Sequence, residues 1–332
     1  HREILRADGK FRNQRFRRDA AMEVLVYEHE NHFEAARLRE ACPDIVIHEA
    51  RTKADALKIC ANADVLVALA HVVDDDIIAS MPRLQWIFAL STGVDHLWTL
   101  KSLKPHVRIT NGRGIHGPQM AELAFLFMIG LSRDYPRMQA NRRDRAWKRW
   151  PQPVLVGKTA VILGIGAISE DVARRCKAFD MRVVGVSNAR TQSPGFDLVL
   201  PRARLIEAAA MADFLIVLVP LDDTTRRMID ARVFSAMKPS AFLINLARGD
   251  VIDEAAMIAA LRDGVIAGAG LDVFSIEPPA ADNPLWDMPN VMMTPRIGGM
   301  SDIYADQIFP VVEHNLREFI AGRPEAMRNI VR

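Results

Sequence analysis

Thr159-Ala160-Val161-Ile162-Leu163-Gly164-Ile165-Gly166-Ala167-Ile168-Ser169 is the stretch that decides how this chain folds. Its first five residues carry no charge and suit a strand buried on both faces of a parallel sheet. Two glycines follow at once, and from Ala167 the pattern becomes helical. In a dinucleotide-binding turn the first glycine makes the tight turn and the second lets the backbone approach a pyrophosphate. The helix N-terminus then offers N–H groups and the positive end of its dipole. Gly164, Gly166, Ala167 and Ile168 are therefore expected to cradle phosphates. A lone G-x-G is a weak signal, and it gains weight here from the strand before it and the helix after it. Ser169 stands where a third glycine is usual, so a small adjustment of helix against strand is expected, without loss of binding.

Outward from this turn, short aliphatic runs alternate with helical patterns in both directions, the signature of parallel α/β architecture. Downstream, strands are expected at Arg182–Val186, Phe214–Val219, Ala241–Leu246, Gly268–Leu271 and Val291–Thr294. Helices are expected at about Ile168–Phe179, Arg204–Met211, Asp230–Met237 and Glu254–Asp263. Upstream, strands are expected at Glu23–Tyr27, Asp64–Ala68, Gln85–Ala89 and Arg108–Thr110. Helices there include Asn31–Ala41, Asp74–Met81 and a long apolar one from about Pro118 to Ser132. Pro118 falls in a first helical turn, where its missing N–H has no intrahelical partner. A last amphipathic helix spans Ile303–Ile320. The βαβ rhythm restarts at Thr159 with no low-complexity linker, so two α/β units are expected.

Composition agrees and excludes several classes. The 332 residues suit about two domains. Half the residues are apolar and a quarter charged, an ordinary globular mixture. Lys+Arg 43 against Asp+Glu 41 leaves +2, too near neutral for a dedicated nucleic-acid binder. Cys42, Cys60 and Cys176 are widely spaced and form no CxxC, so neither a disulfide scaffold nor a metal site is expected. The default is a cytoplasmic protein that neither spans a membrane nor binds one, since the apolar stretches fall short of the ~18 residues a span needs. Residues 1–20 carry seven basic and three acidic side chains. An arm for an anionic partner, a transit-like peptide and a plain N-terminal extension over 1–21 all suit them, the last being preferred.

The strand after the glycine turn speaks to the cofactor. An NAD site usually carries Asp or Glu about twenty residues on, holding the ribose 2′-OH. Here the strand ends Val186-Ser187-Asn188-Ala189-Arg190, with no acid. Ser187 and Asn188 donate hydrogen bonds, and Arg190 suits bidentate binding of phosphate, which an acid would repel. NADP(H) is expected in preference to NAD(H).

Three further segments carry a family likeness. They are Ser91-Thr92-Gly93-Val94-Asp95-His96, Asn245-Leu246-Ala247-Arg248-Gly249-Asp250-Val251-Ile252-Asp253-Glu254 and Gly270-Leu271-Asp272-Val273-Phe274-Ser275-Ile276-Glu277-Pro278. With the glycine turn they resemble the D-isomer-specific 2-hydroxyacid dehydrogenases, particularly the glyoxylate/hydroxypyruvate reductase-like branch, from about Met22 to the C-terminus. The resemblance implies two Rossmann/flavodoxin-like parallel-sheet domains with an inter-domain cleft. The substrate domain would span 22–117 plus 304–332, around a dinucleotide-binding domain at 118–303. It implies hydride transfer between NADP(H) and a 2-keto or 2-hydroxy acid, with Arg248 binding the substrate and polarising its carbonyl. The backbone of Thr92, Gly93 and Val94 would hold the carboxylate. Val219, Pro220, Thr225, Leu246, Ala247, Asp272 and Gly298 would face the cofactor, Asp272 beside the nicotinamide carboxamide. A homodimer is implied as well, with the basic, Trp-bearing stretch through Trp147 and Trp150 in its arm.

One position departs from the family. Its members read Thr-Pro-His near the last strand, and that histidine exchanges the proton, oriented by the acid that matches Glu277. This chain reads Thr294-Pro295-Arg296. An arginine, with a pKa above ~12, is not a base at neutral pH. His96, His116 and Tyr304 are the alternative proton sources near the expected cleft. Arg296 is expected instead to pair with Glu277 and present a second cation beside Arg248, suiting a substrate with an extra anionic group. The alternatives are a catalytically weak or non-enzymatic dinucleotide-binding protein, corepressor-like or a sensor, and a variant inactivated by a His-to-Arg change.

Overall fold

The computed structural model describes residues 21–28, 33 and 35–332. The N-terminal extension lies outside these but for Ala21, as do residues 31, 32 and 34 of the first expected helix. The chain divides into two compact units, one holding the residues up to Gly112 together with Asp302–Arg332, the other Arg113–Ser301.

The first unit is built on strands β1 (Glu23–Tyr27), β2 (Val46–Ala50), β3 (Val65–Ala68), β4 (Trp86–Ala89) and β5 (Arg108–Asn111), with helices α1 (Ala35–Ala41), α2 (Lys53–Ile59) and α3 (Asp75–Ala79). The five strands are all parallel, in the order β2-β1-β3-β4-β5, the flavodoxin-like arrangement. β2 was not expected from sequence. Its Val46-Ile47-His48-Glu49-Ala50 lies at the sheet edge with only Ile47 and Ala50 buried, so it lacks the apolar run of the central strands. Leu25, Leu66 and Ile87 are buried in one apolar cluster of this unit. Thr52 and Asp74 cap α2 and α3 through side-chain oxygens that accept backbone N–H groups, satisfying donors a helix start otherwise leaves open.

The second unit starts with α4 (Gly117–Ser132) and α5 (Tyr135–Arg143). Then come β6 (Thr159–Leu163), α6 (Ala167–Ala178), β7 (Arg182–Val186), β8 (Leu198–Leu200), α7 (Leu205–Met211), β9 (Phe214–Val217), α8 (Ala231–Ala236), β10 (Phe242–Asn245), α9 (Glu254–Arg262), β11 (Gly268–Leu271) and β12 (Val291–Met293). The seven strands are parallel in the order β12-β11-β10-β9-β6-β7-β8. This is the doubly wound dinucleotide-binding order with one further strand, and its direction reverses between β6 and β9. A ligand crevice lies outside the carboxyl ends of the strands at such a switch point. β6, β7 and β11 occupy the ranges expected of them, whereas β8, three residues long, was too short to read. Helix α10 (Tyr304–Ile320) returns to the first unit, burying Tyr304, Ile308, Val312, Leu316 and Phe319 along one face. The C-terminal Ile330 then adds an antiparallel bridge to Thr110.

Candidate functional site

The switch point carries the glycine turn. Gly164 has φ +96°, and a Cβ there would lie 2.9 Å from the backbone nitrogen of Val219. Both the backbone sign and the space therefore require glycine. At Gly166, the residue before α6, nothing stands within 4 Å of where a Cβ would be, an open cradle at a helix N-terminus. Ser169 is buried, and its Oγ donates to the Gly164 carbonyl at 2.6 Å. The side chain replacing the third glycine thus ties the helix to the turn, an interaction the sequence did not announce.

Beside the turn, Val219 is buried and Thr225 fully so. The Thr225 hydroxyl donates to the Pro220 carbonyl at 2.7 Å and accepts from the Asp222 N–H at 2.8 Å. That one oxygen closes the loop after β9. Thr225→Val, which keeps the shape and removes both bonds, is expected to lower unfolding free energy by about 1–3 kcal/mol, as read by denaturant titration.

After β7, Ser187 is buried and its Oγ accepts from the N–H groups of Ala189 (3.1 Å) and Arg190 (3.3 Å). Arg190 pairs with Glu170 of α6 and reaches Ser193 Oγ at 3.3 Å. Asn188 is exposed, and its Oδ1 accepts from the Arg202 N–H at 2.9 Å.

At the end of β10, Asn245 is 1% exposed. Its Oδ1 accepts from Ala247 N–H at 3.1 Å, and its Nδ2 donates to the Arg248 carbonyl at 3.0 Å. Leu246 and Ala247 are buried beside it, and the half-buried Arg248 donates from Nη1 to the Ala247 carbonyl at 2.7 Å. Asn245 is the positioning residue the sequence reading passed over. At Gly249 a Cβ would stand 1.9 Å from the Phe274 carbonyl carbon, so the Arg248 turn packs directly against the segment that carries Glu277.

Asp272 follows β11 and is buried. It accepts from Thr294 Oγ1 (2.6 Å) and from the N–H groups of Ile297 and Gly298 (both 2.9 Å). Burial raises its pKa above the usual carboxylate range, with the three bonds and the Arg296 charge working against that rise. The loop carrying Arg296 is thereby fixed to Asp272. Glu277 accepts from the Phe274 N–H through Oε1 (3.1 Å) and from Arg296 Nη1 through Oε2. Arg296 has φ +55°, in the left-handed region, where histidine is several-fold enriched among non-glycine residues.

Two of the other proton sources are bonded within the first unit. Tyr304 is buried in the first unit, donates to the Leu90 carbonyl, and has its pKa pushed far up by burial. The His96 ring bonds the Val73 carbonyl at 2.9 Å. His116 is buried in the second unit, with Cδ2 3.3 Å from where a Gly299 Cβ would stand. In the first unit, the carbonyls of Thr92 and Gly93 accept from Asn111 Nδ2 (2.6 Å) and Ser91 Oγ (2.8 Å). Among the described residues no cluster of three or more His, Cys, Asp or Glu is placed to hold a metal, and no helix is long and apolar enough to cross a membrane.

A doubly wound sheet with a glycine turn at its switch point, and an arginine and a glutamate beside it, defines a dinucleotide-dependent oxidoreductase class. The chain belongs to the D-isomer-specific 2-hydroxyacid dehydrogenase family, whose NAD-binding domain profile matches residues 125–298. It is 31% identical over 309 residues to a glyoxylate reductase of Pyrococcus furiosus, covering 90% of this chain and 87% of that one. It is 32% identical over 308 residues to a D-3-phosphoglycerate dehydrogenase of Methanocaldococcus jannaschii, covering 88% of this chain and 58% of that longer protein. Among solved structures, a D-isomer-specific 2-hydroxyacid dehydrogenase family protein from Aeromonas salmonicida superposes with TM-score 0.87 at 32% identity, covering 94% of this chain and 99% of that one. An NADPH-dependent glyoxylate/hydroxypyruvate reductase from Sinorhizobium meliloti, in complex with NADP and sulfate, gives TM-score 0.81 at 28% identity, covering 93% and 98%.

Proposed function

We propose that this protein is an NADP(H)-dependent 2-keto acid reductase, running in reverse as a D-2-hydroxyacid dehydrogenase, whose substrate carries a second anionic group. The carrying observation is the Arg296–Glu277 pair, with Glu277 on the segment that packs against the Arg248 turn. The open cradle at Gly166 and the turn at Gly164 fit a dinucleotide pyrophosphate. A bound dihydronicotinamide supplies the hydride. Water supplies the proton that the new alkoxide takes, and the residues of the chain bind and orient. Ala167 and Ile168 offer N–H groups at the start of α6, and the buried Asp272 fixes the 296–298 loop and accepts from a carboxamide. Arg248 neutralises charge that develops on the carbonyl oxygen, and the Thr92–Val94 backbone grips the carboxylate. Arg296, bonded to Glu277 through Nη1 alone and half-exposed, offers its remaining N–H groups to the additional carboxylate, phosphate or sulfonate.

NADP(H) is favoured over NAD(H) because no acid follows β7 to repel a 2′-phosphate, and the Sinorhizobium reductase is an NADPH enzyme. A homodimer fits the apolar exposure on the second unit, where Leu126 and Ile129 of α4 lie open and Trp147 is 94% exposed. The ion pair at the acid/base position also favours a second reading, a dinucleotide-binding protein with little turnover. Oxidation of NADPH and of NADH, followed by absorbance with glyoxylate, hydroxypyruvate, bulky 2-keto acids and keto-diacids, separates the two. The highest kcat/KM is expected for NADPH with a keto-diacid. No turnover with any member of the panel would establish the binding protein.

A further inference from the structure

Arg190, the residue after β7 best suited by sequence to a phosphate, is already paired with Glu170 and Ser193. Both contacts are made by Nη1, so a phosphate on the rest of its guanidinium would lie beside the Glu170 carboxylate. A different arginine nearby is poised the opposite way. Arg202, in the turn between β8 and α7, is held by its N–H on Asn188 Oδ1 (2.9 Å) and by Nη1 on Thr224 Oγ1 (3.0 Å). Its Nε is the buried side-chain polar atom without a hydrogen-bond partner among the described residues. A buried unpaired N–H is costly, and this one belongs to the side-on edge of the guanidinium, Nε with Nη2, which takes a tetrahedral oxyanion bidentately. Arg202, Asn188, Thr224 and Arg232 line a cavity of about 520 Å³ with Ile206 and Met228. Because Asn188 accepts through its oxygen, its NH₂ is the part of the amide left to donate. No carboxylate lines the cavity itself, and the Asp222 carboxylate behind it accepts from the Thr224 hydroxyl at 2.6 Å.

We infer that Arg202, held through Nη1 by Thr224, binds the 2′-phosphate of NADP(H) together with the Asn188 amide and sets the preference over NAD(H). The inference rests on the NADP(H) reading above and names a grip for it that lies some dozen residues beyond the expected one. Arg202 uses its side-on edge, braced from behind by Thr224. Asn188 adds a neutral donor, and the phosphate supplies the acceptor that Nε lacks.

The test is calorimetric binding of adenosine 2′,5′-bisphosphate and adenosine 5′-monophosphate to the full chain, which reads the phosphate without turnover. The wild type is expected to bind the bisphosphate about tenfold or more tightly, the worth of a charge-assisted pair. Arg202→Gln is expected to remove most of that ratio, and Arg190→Ala a smaller part. Arg202→Lys, which keeps the charge and loses the fork, is expected to fall between wild type and Arg202→Gln. It serves in place of the Gln variant should that one fail to fold. A wild type that discriminates, with Arg202→Gln and Arg202→Lys discriminating equally well, overturns the role of Arg202 and leaves the NADP(H) reading standing. A wild type that binds both nucleotides equally overturns both.

Discussion

Arg296→His is expected to raise kcat for reduction of simple 2-keto acids by about 10²–10⁴, the usual worth of a positioned general acid. The surroundings already suit an imidazole. Glu277 lies within bonding reach of residue 296 and is itself fixed by the Phe274 N–H, so it would orient the ring and favour its protonated form. The backbone at 296 has φ +55°, which histidine adopts more readily than arginine. Asp272 holds the neighbouring N–H groups of Ile297 and Gly298 independently of what stands at 296, so the loop should keep its course. KM should change less than kcat for simple substrates, because Arg248 is untouched. A pH profile supplies the second readout. Reduction by the His variant needs the imidazolium, so kcat should fall as pH rises through a pKa above the ordinary ~6.5. The wild type should lack that limb. For keto-diacids the sign reverses: loss of the Arg296 cation should raise KM. An unchanged or lower rate on simple 2-keto acids, with cofactor binding intact, would assign Arg296 a catalytic or binding role of its own.

The parts of this site that follow from local chemistry were legible in the sequence. Buried parallel strands read as charge-free aliphatic runs, and the Gly164–Gly166 turn announces itself because no other residue type meets its φ and its clearance from Val219. The Arg296–Glu277 pair was legible too, as an acid and a base expected to meet. What could not be read depends on contacts between distant segments. β2 is a half-polar edge strand recognisable only once β1 is beside it. The Ser169 hydroxyl looked like an imperfect glycine until its bond to Gly164 appeared. Arg190 and Arg202 are both arginines near a nucleotide turn, and only the placement of Glu170 and Thr224 shows which of them is paired with a carboxylate.

Arg248→Gln is expected to lower kcat/KM by about 10²–10³ on every substrate turned over, the cost of removing one preorganised donor aimed at a developing oxyanion. Glutamine preserves much of the stem and a hydrogen-bond donor, so the variant isolates the charge. The turn itself should survive, because Asn245 holds it through Ala247 N–H and the Arg248 carbonyl, both backbone groups. Nucleotide affinity should stay within about twofold, since the glycine turn and Thr225 loop are separate from the guanidinium. How the loss divides between kcat and KM then reports the role. If Arg248 only gripped the carboxylate, KM would rise with kcat unchanged, because ground state and transition state would lose the same contact. If it polarises the carbonyl, kcat must fall, since the charge it meets grows only as the keto carbon is reduced. The Arg296→His background gives the sharper measurement. There the proton donor is present, turnover is fast enough to resolve a thousandfold loss, and Arg248 is the one fixed cation of the pair. Retention of full kcat in Arg248→Gln,Arg296→His would move carbonyl polarisation to another group and reduce Arg248 to a carboxylate anchor.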